Sequence, residues 1–182
     1  MAVTLFALAH KSPVQGIVVP RAASPVATVA PRAATPGVPS RLKITALNID
    51  AAVEGLGLNS VGEMDTPKGP DDVAWYKFGQ RPGFTGSAVI AGHSNWYNGA
   101  PAVFDNLNKL NAGDKIIVVG DNGLTITFVV RELRDYDQNR NAASVFGSND
   151  GRAHLNLITC EGVWNKVTHS FSKRLVVFAD QE

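Results

Sequence analysis

The chain has 182 residues, of which 45% are hydrophobic and 18% charged, a composition typical of a folded domain and not of a disordered or collagen-like chain. Its formal net charge of +1 provides no basic surplus that would favour a nucleic-acid partner. The single cysteine, Cys160, excludes an internal disulfide and a multi-thiolate zinc or iron–sulfur site. Cys160 is therefore either a small buried apolar residue or a reactive thiol.

Residues 1–40 differ in composition from the rest of the chain. They hold six of the ten prolines and no Asp or Glu, and their alanines and valines show no helical or alternating period. Proline fixes φ and lacks an amide hydrogen, so we predict a semi-stiff tether, with an extended arm packed on the domain as the alternative. The apolar start MAVTLFALAH is shorter than the about 20 residues of a membrane helix and lacks a basic n-region. It is either the remnant of a longer anchor or a short apolar start.

Residues 41–182 are predicted to form the folded domain. Seven segments are rich in β-branched residues and bounded by turn residues: RLKITALNI, AAVEGLGL, GSAVIAGH, DKIIVVG, LTITFVVRELRDY, AHLNLITC and KRLVVFAD. Helical patterns are short, around Asp72–Phe78, Val103–Leu110 and Ala142–Phe146. Seven or eight short strands favour a mainly β fold, a closed or nearly closed β-barrel, with a sandwich as the alternative.

Cys160 ends the predicted strand AHLNLITC and precedes EGVWN, which we interpret as a turn. Alternation places Cys160 on one strand face with Ile158, Asn156 and His154. A thiol at a strand end combines rigid support with access, whereas a buried free cysteine is the alternative interpretation. A nucleophilic role needs a base or a cationic neighbour, because the thiolate attacks and an ordinary cysteine has a pKa of about 8.5.

Four histidines are candidates for that base. His10 lies in the predicted tether. His154 precedes Cys160 by six residues on the same strand, about 20 Å away, which excludes a direct pair. His169 lies in a polar loop, where a solvated side chain is the simpler interpretation. His93 closes the apolar strand GSAVIAGH, the same placement as Cys160, and is preferred over His169.

Arg174 stands at the start of the strand KRLVVFAD. A thiol that attacks a carbonyl places negative charge on its oxygen, and a guanidinium with several fixed donors suits that charge. Lys173 is a less shaped alternative, and a solvated arginine at a strand start is the other interpretation. Four loop aromatics beside these candidates either line a substrate groove or pack under the loops: Trp96, Tyr97, Phe146 and Trp164.

Other motifs contribute little. The chain lacks the spacing of a P-loop, a dinucleotide-binding loop or a zinc site. The acidic pairs Asp71–Asp72 and Asp135–Asp137 fit solvated turns, with a calcium role as the alternative.

Three segments in order, AVIAGHSNW with His93, LNLITCEGVW with Cys160 and SKRLVVFA with Arg174, resemble the sortases, the cysteine transpeptidases of Gram-positive bacterial surfaces. That family has a histidine after a buried strand, a TLxTC motif at the end of a later strand and an arginine opening the last strand. Here Asn156 stands where the motif has its threonine. The resemblance covers roughly residues 40–180 and is nearest to the class D, E and F group, with class F-like features. It implies an eight-stranded sortase barrel over residues 41–182 that uses no cofactor and no metal.

The resemblance also implies a mechanism and partners. Cys160 would attack the Thr–Gly carbonyl of an LPXTG-like sorting signal, His93 would act as general acid and then base, and Arg174 would bind substrate and stabilise the oxyanion. The acceptor would be the amine of a peptidoglycan precursor or a pilin lysine, with water as the slow substitute. Residues expected to contact the sorting signal are Ala142, Ala143, Ser144, Val145, Phe146, Thr159 and Trp164. The protein would work outside the cytoplasm at the membrane or cell wall, held by a membrane tether not visible in this chain.

Two other functions stay open on sequence alone. One is a non-catalytic extracytoplasmic β-barrel binding module with an inert cysteine, and the other is a Cys–His peptide hydrolase that uses water. A further hypothesis is that residues 1–40 reach back and shield Cys160.

Overall fold

Alternating and continuous apolar segments of the sequence become eight β-strands in the computed structural model, which describes residues 35–137, 142–167 and 170–182. The strands are β1 (Pro39–Ile44), β2 (Ile49–Leu56), β3 (Val73–Tyr76), β4 (Gly86–Gly92), β5 (Lys115–Gly120), β6 (Thr125–Asp137), β7 (Ala153–Asn165) and β8 (Ser170–Gln181). The described helices are short: α1 (Ala143–Phe146) and 3₁₀ turns at Thr45–Leu47, Tyr97–Gly99 and Leu107–Lys109.

The strands close into a barrel in the order β1-β2-β3-β4-β7-β8-β6-β5. Pairings are antiparallel except for β2 with β3 and β4 with β7, which are parallel. The predicted mainly β fold with an eight-stranded barrel is confirmed, and the alternative of a sandwich is wrong. Because β4, β7 and β8 are neighbours in the barrel, segments far apart in sequence lie side by side.

The barrel core is built from alternate residues of its strands, as period-2 alternation requires. In β7, Leu155 and Leu157 are fully buried and belong to the main core cluster, together with Phe128 of β6. A smaller cluster lies on the outer face of the same sheet, where Val145 of α1 packs with Val176 and Phe178 of β8. The outer cluster is what seats α1 against the barrel.

The helical pattern at Asp72–Phe78 is a wrong prediction, since this segment contains β3. Val73 and Ala74 are fully buried, and β3 pairs with β2 on one side and β4 on the other. A strand buried on both faces has no alternation, so its short apolar run cannot be distinguished from a helix by period. The pattern at Val103–Leu110 yields only the 3₁₀ turn, whereas the helix predicted at Ala142–Phe146 is confirmed as α1.

The turn predicted after Cys160 is also wrong, because β7 continues to Asn165. The ladder with β8 shifts register between Glu161 and Trp164, and Gly162 has φ +86°. This is a β-bulge, and glycine is the residue that accepts its left-handed conformation. Cys160 therefore lies within a long strand, beside the bulge.

The described chain joins the barrel shortly before β1. The Val38 amide donates to the Asp121 carboxylate at 3.0 Å, the Asp121 amide donates to the Val38 carbonyl at 2.8 Å, and the Asn122 side-chain amide donates to the Thr35 carbonyl at 3.0 Å. Residues 1–34, with His10, lie outside the described residues, so the tether and its shielding role stay predictions. Within the described ranges, no helix is both long and apolar enough to cross a membrane.

Candidate active site

A cavity of about 560 Å³ opens beside β4, β7 and β8, and His93, Cys160 and Arg174 all line it. His93 follows β4, Cys160 lies in β7, and Arg174 lies in β8. The three side chains that the sequence singled out from separate segments therefore share one cavity.

Strand pairing explains why His93 and Cys160 lie at the same end of the barrel. The parallel β4–β7 ladder ends with the pair Ala91 and Ile158, two residues before His93 and Cys160 respectively. Beyond that pair, the buried Thr159 hydroxyl donates to the Gly92 carbonyl at 2.8 Å. The residue before the thiol is thus bonded to the residue before the imidazole.

Gly92 is required by close packing beneath His93. A Cβ at this position would lie 2.5 Å from a ring carbon of Phe104, which is itself buried. The Phe104 amide also donates to the His93 carbonyl at 2.9 Å. The backbone of His93 is therefore held against the core on one side and against β7 on the other.

The His93 ring is oriented by the β2–β3 loop. Its Nε2 lies 2.9 Å from the Pro67 carbonyl oxygen, which can only accept, so Nε2 carries a hydrogen. In the neutral ring, Nδ1 is then the nitrogen available to take a proton. The Trp96 ring packs edge-on against the imidazole, with ring centroids 5.0 Å apart.

Arg174 is placed opposite the thiol by strand register, because it is the β8 partner of Cys160. Its Nη1 donates to the carbonyls of Phe171 at 3.1 Å and Lys173 at 3.0 Å. No carboxylate pairs with Arg174 in the part of the chain that the structure describes. The Lys173 ammonium instead pairs with Asp135 at 3.4 Å and does not line the cavity. Arg174 is thus the better placed of the two cations.

The Cys160 thiol is half-buried, and that burial raises its pKa above the ordinary value. The positive charge of Arg174 lowers the pKa, but by less than burial raises it. Burial disfavours the charged form, so the thiol is mostly neutral near pH 7. A nucleophilic reaction here needs a base to take the thiol proton as the sulfur attacks.

The expected substrate contacts divide into two groups. Ala142, Val145, Phe146 and Thr159 line the cavity, whereas Ala143, Ser144 and Trp164 are not among its lining residues. Trp164 instead packs edge-on against Phe171, with ring centroids 5.2 Å apart. Its partner is the opposing strand of the hairpin, not the cavity.

The sequence analysis missed a second wall of the cavity, formed by the β2–β3 loop. Leu58 and Met64 form an isolated antiparallel bridge and line the cavity together with Thr66. Tyr76 and Tyr136 also line it, and Tyr76 packs edge-on against Phe146 at 5.7 Å between centroids. The signal available in the sequence was the presence of Leu58 and Met64 in a turn-rich segment. Apolar side chains in such a segment either pack against another part of the protein or are exposed to solvent.

The remaining candidates lie elsewhere. His154 is buried within an ion-pair network and does not line the cavity, and His169 lies outside the described residues. Trp96 and Tyr97 pack on one another, with centroids 4.7 Å apart, and neither lines the cavity. Within the described ranges, no group of three or more His, Cys, Asp or Glu side chains is arranged to hold a metal ion.

Solved structures share this fold at low sequence identity. Sortase C-1 from Actinomyces oris is 22% identical with a TM-score of 0.62, covering 78% of this chain and 72% of that chain. Sortase A from Listeria monocytogenes is 20% identical with a TM-score of 0.60, covering 80% and 88%. A lid mutant of sortase A from Corynebacterium diphtheriae is 21% identical with a TM-score of 0.61, covering 84% and 74%.

The comparison with curated protein sequences gives no match. A family model described as a sortase domain matches residues 42–182, which is most of the chain and the whole of the barrel apart from the first residues of β1. The chain therefore belongs to the sortase family of cysteine transpeptidases.

Proposed function

We propose that this protein cleaves an LPXTG-like sorting signal between Thr and Gly through a thioacyl-enzyme and transfers the acyl group to an amine. The acceptor is a peptidoglycan precursor or a pilin lysine, and the protein acts outside the cytoplasm at the membrane or cell wall. The observation that carries the proposal is the convergence of His93, Cys160 and Arg174 on one cavity from three neighbouring strands.

Acylation begins with a neutral thiol. The Cys160 sulfur attacks the threonine carbonyl carbon, while its proton passes to His93, whose Nδ1 is free because Nε2 donates to Pro67. The tetrahedral intermediate collapses by breaking the C–N bond to glycine. His93 returns its proton to the leaving amine, which leaves a thioester on Cys160 and a neutral imidazole.

Deacylation reverses these proton movements with a new amine. The incoming amine attacks the thioester carbonyl, and His93 takes the proton it loses. Collapse then breaks the C–S bond, and His93 returns a proton to the sulfur. The product is a new amide, and the enzyme regains its neutral thiol.

Arg174 stabilises the negative oxygen that forms in both steps. Its Nη1 is held by two backbone carbonyls and its charge faces no carboxylate in the described chain, so the guanidinium is both oriented and unneutralised. The walls of the cavity fit the apolar part of the signal. Ala142, Val145 and Phe146 on one side and Leu58 on the other offer apolar contact to its Leu and Pro side chains. The class F-like assignment stays a prediction.

The test is to incubate the full chain with an LPXTG peptide and a glycine-based amine and to follow the products by mass spectrometry. We expect a ligated peptide, a thioester adduct on Cys160, and loss of both in Cys160→Ala. The variant Arg174→Gln has Lys173→Gln as its matched control, because Arg174 lines the cavity and Lys173 does not. Removing one donor to a forming oxyanion costs about 10²–10³-fold in rate, so Arg174→Gln should lose that much while Lys173→Gln stays within about twofold.

Other outcomes would replace the proposal. Cleaved peptide with no preference for amines over water would identify a hydrolase. Absence of any cleavage, combined with a Cys160 that reacts with thiol reagents only after unfolding, would identify a binding module.

A further inference from the structure

His154 is a buried histidine that the proposed reaction does not use. It lies in β7, only 5% exposed, on the outer face that alternation predicts for His154, Asn156, Ile158 and Cys160. Its Nδ1 lies 2.7 Å from the Asp180 carboxylate, and its Nε2 lies 2.9 Å from the Asp150 carboxylate. Since carboxylates accept and do not donate, both ring nitrogens must carry hydrogen, which is the imidazolium form.

The two aspartates belong to different parts of the fold. Asp180 is the β8 partner of His154, so that bond lies within the barrel wall. Asp150 lies in the segment that leads from α1 to β7, so the second bond ties this segment to the barrel. The Asp150 carboxylate is further ordered by accepting from the amide of Arg152 at 3.0 Å.

The Asp180 carboxylate beside His154 also lies close to two arginines. Arg131 of β6 donates to Asp180 at 2.7 Å, and Arg152 lies 4.0 Å from the same carboxylate. On the β4 side, the register partner of His154 is the uncharged Ser87. Among the described residues, His154 is the one whose side chain contacts both the Asp150 and the Asp180 carboxylates.

A second side chain of the same strand face holds the other end of the segment. The buried Asn156, which replaces the motif threonine, donates from Nδ2 to the Val145 carbonyl of α1 at 2.6 Å. Residues 142–152 thus rest on β7 through Asn156 near α1 and through His154 near Asp150. Ala142, Val145 and Phe146 of this segment line the cavity.

We propose that His154 is a positioning residue, which as an imidazolium clamped between Asp150 and Asp180 fixes residues 142–152 in the shape that receives the substrate. The identity of that substrate rests on the proposed function, whereas the clamp itself does not. The hydrogen bond from His154 holds the pKa of Asp150 well below its usual range, so the acceptor of this bond stays charged.

The test uses Asp150→Asn in the full chain, with Asp50→Asn as the matched control. Asp50 is also an exposed carboxylate in an ion pair, with Arg41, but it lies in β2 and does not line the cavity. By hydrogen–deuterium exchange, we expect residues 142–152 to exchange about threefold to tenfold faster in Asp150→Asn, because the Asn oxygen still accepts from His154 but forms the weaker hydrogen bond of a neutral acceptor. We expect no change in Asp50→Asn. Unchanged exchange in this segment, or an equal rise throughout the barrel, would overturn the proposal.

Peptide kinetics supply the link to the reaction. Asp150→Asn should raise KM about threefold to tenfold with kcat within about twofold, because it loosens binding and leaves His93 and Cys160 in place. A fall in kcat at constant KM contradicts a positioning role. If the unmodified chain cleaves no peptide, the proposed function fails, and the exchange measurement still decides the clamp.

Discussion

Cys160 lies in a setting that keeps its thiol neutral. Burial raises its pKa, and Arg174 opposite it in the β7–β8 ladder offsets only part of that effect. A neutral nucleophile reacts slowly with small reagents and gains reactivity only where a base stands ready. The partly buried thiol is therefore expected to react with the carbonyl of a bound substrate in preference to small reagents in solution.

Alkylation with iodoacetamide over a range of pH values measures this effect. We expect the rate of the folded chain to rise with a midpoint above that of the chain unfolded in urea. Because the folded pKa of Cys160 exceeds the unfolded one, its contribution to the free energy of unfolding is complete below the unfolded pKa and is lost as pH rises through the folded pKa. The variant Cys160→Ser, which has no thiol to alkylate, is the control. A folded midpoint equal to or below the unfolded one contradicts the prediction.

Individual residues were predictable where their local context is distinctive. His93 could be chosen because it follows a recognisable strand, and Arg174 because it begins the predicted segment KRLVVFAD, although β8 itself begins at Ser170. Both line the cavity beside Cys160. Their catalytic roles stay a prediction. The Pro67 carbonyl that orients His93 could not be predicted, because a backbone carbonyl carries no residue-type signal and its placement depends on the path of a whole loop.

Among the elements, β4 and β7 determine the geometry of the site. Their parallel ladder and the bond from Thr159 to Gly92 place the end of β4 beside the part of β7 that carries Cys160. The contact of Gly92 with Phe104 leaves no room for a side chain at that point. A change at Gly92 should therefore disturb both the core and the position of His93.

Gly92→Ala should lower the free energy of unfolding by about 1–3 kcal/mol, the usual cost of overpacking a core. It should also reduce peptide cleavage, because Phe104 or the β4 end must shift. Gly147→Ala is the matched control, since Gly147 has extended backbone and a Cβ there meets nothing within 4 Å. Urea denaturation of both variants measures the difference. Equal stability of the two variants would show that Phe104 yields without cost.

Most strands could be predicted because their alternation is regular, and the exceptions have physical reasons. The β3 segment is too short and too uniformly buried to show a period. The end of β7 was misjudged because Gly162 signals a turn equally well as a bulge. Tertiary pairing with β8 decides between the two, and a local pattern does not contain that pairing.

At the scale of the whole molecule, the first strand of the barrel begins slightly before residue 41. The first strand begins at Pro39, and Val38 already bonds to Asp121. The division between residues 1–40 and 41–182 would therefore place part of β1 in the tether. The role of residues 1–34 stays a prediction.

Two truncated chains test the boundary. A chain that begins at Arg41 lacks the Val38 bonds, the Ser40 hydroxyl bond to the Val119 carbonyl at 3.1 Å, and the pairing of Pro39 with Gly120. Compared with a chain that begins at Thr35, it should melt about 2–4 °C lower for each kcal/mol lost, the scale for a domain of about 150 residues. Calorimetry makes the comparison, and equal melting temperatures contradict it. Peptide cleavage by the Thr35 chain and by the full chain tests the shielding hypothesis, which equal rates would remove.

The closed barrel could be predicted from strand number, but its ring order could not. Spacing along the chain does not reveal that β4, β7 and β8 are adjacent, and the parallel β4–β7 pairing joins segments about 60 residues apart. Only the resemblance to a family supplied the expectation that His93, Cys160 and Arg174 meet. Local sequence patterns identify the individual strands, whereas the long-range strand pairings determine which strands are neighbours.

The parallel pairing of β4 with β7 has a consequence for how the protein fails when heated. Core strands open only in global unfolding, whereas loops open locally at low cost. Since Cys160 lies in β7 and His93 directly follows β4, the backbone positions that carry the thiol and the imidazole separate only when the barrel itself melts. The loops that grip a substrate can loosen first, so warming should erode affinity before it separates the reacting pair.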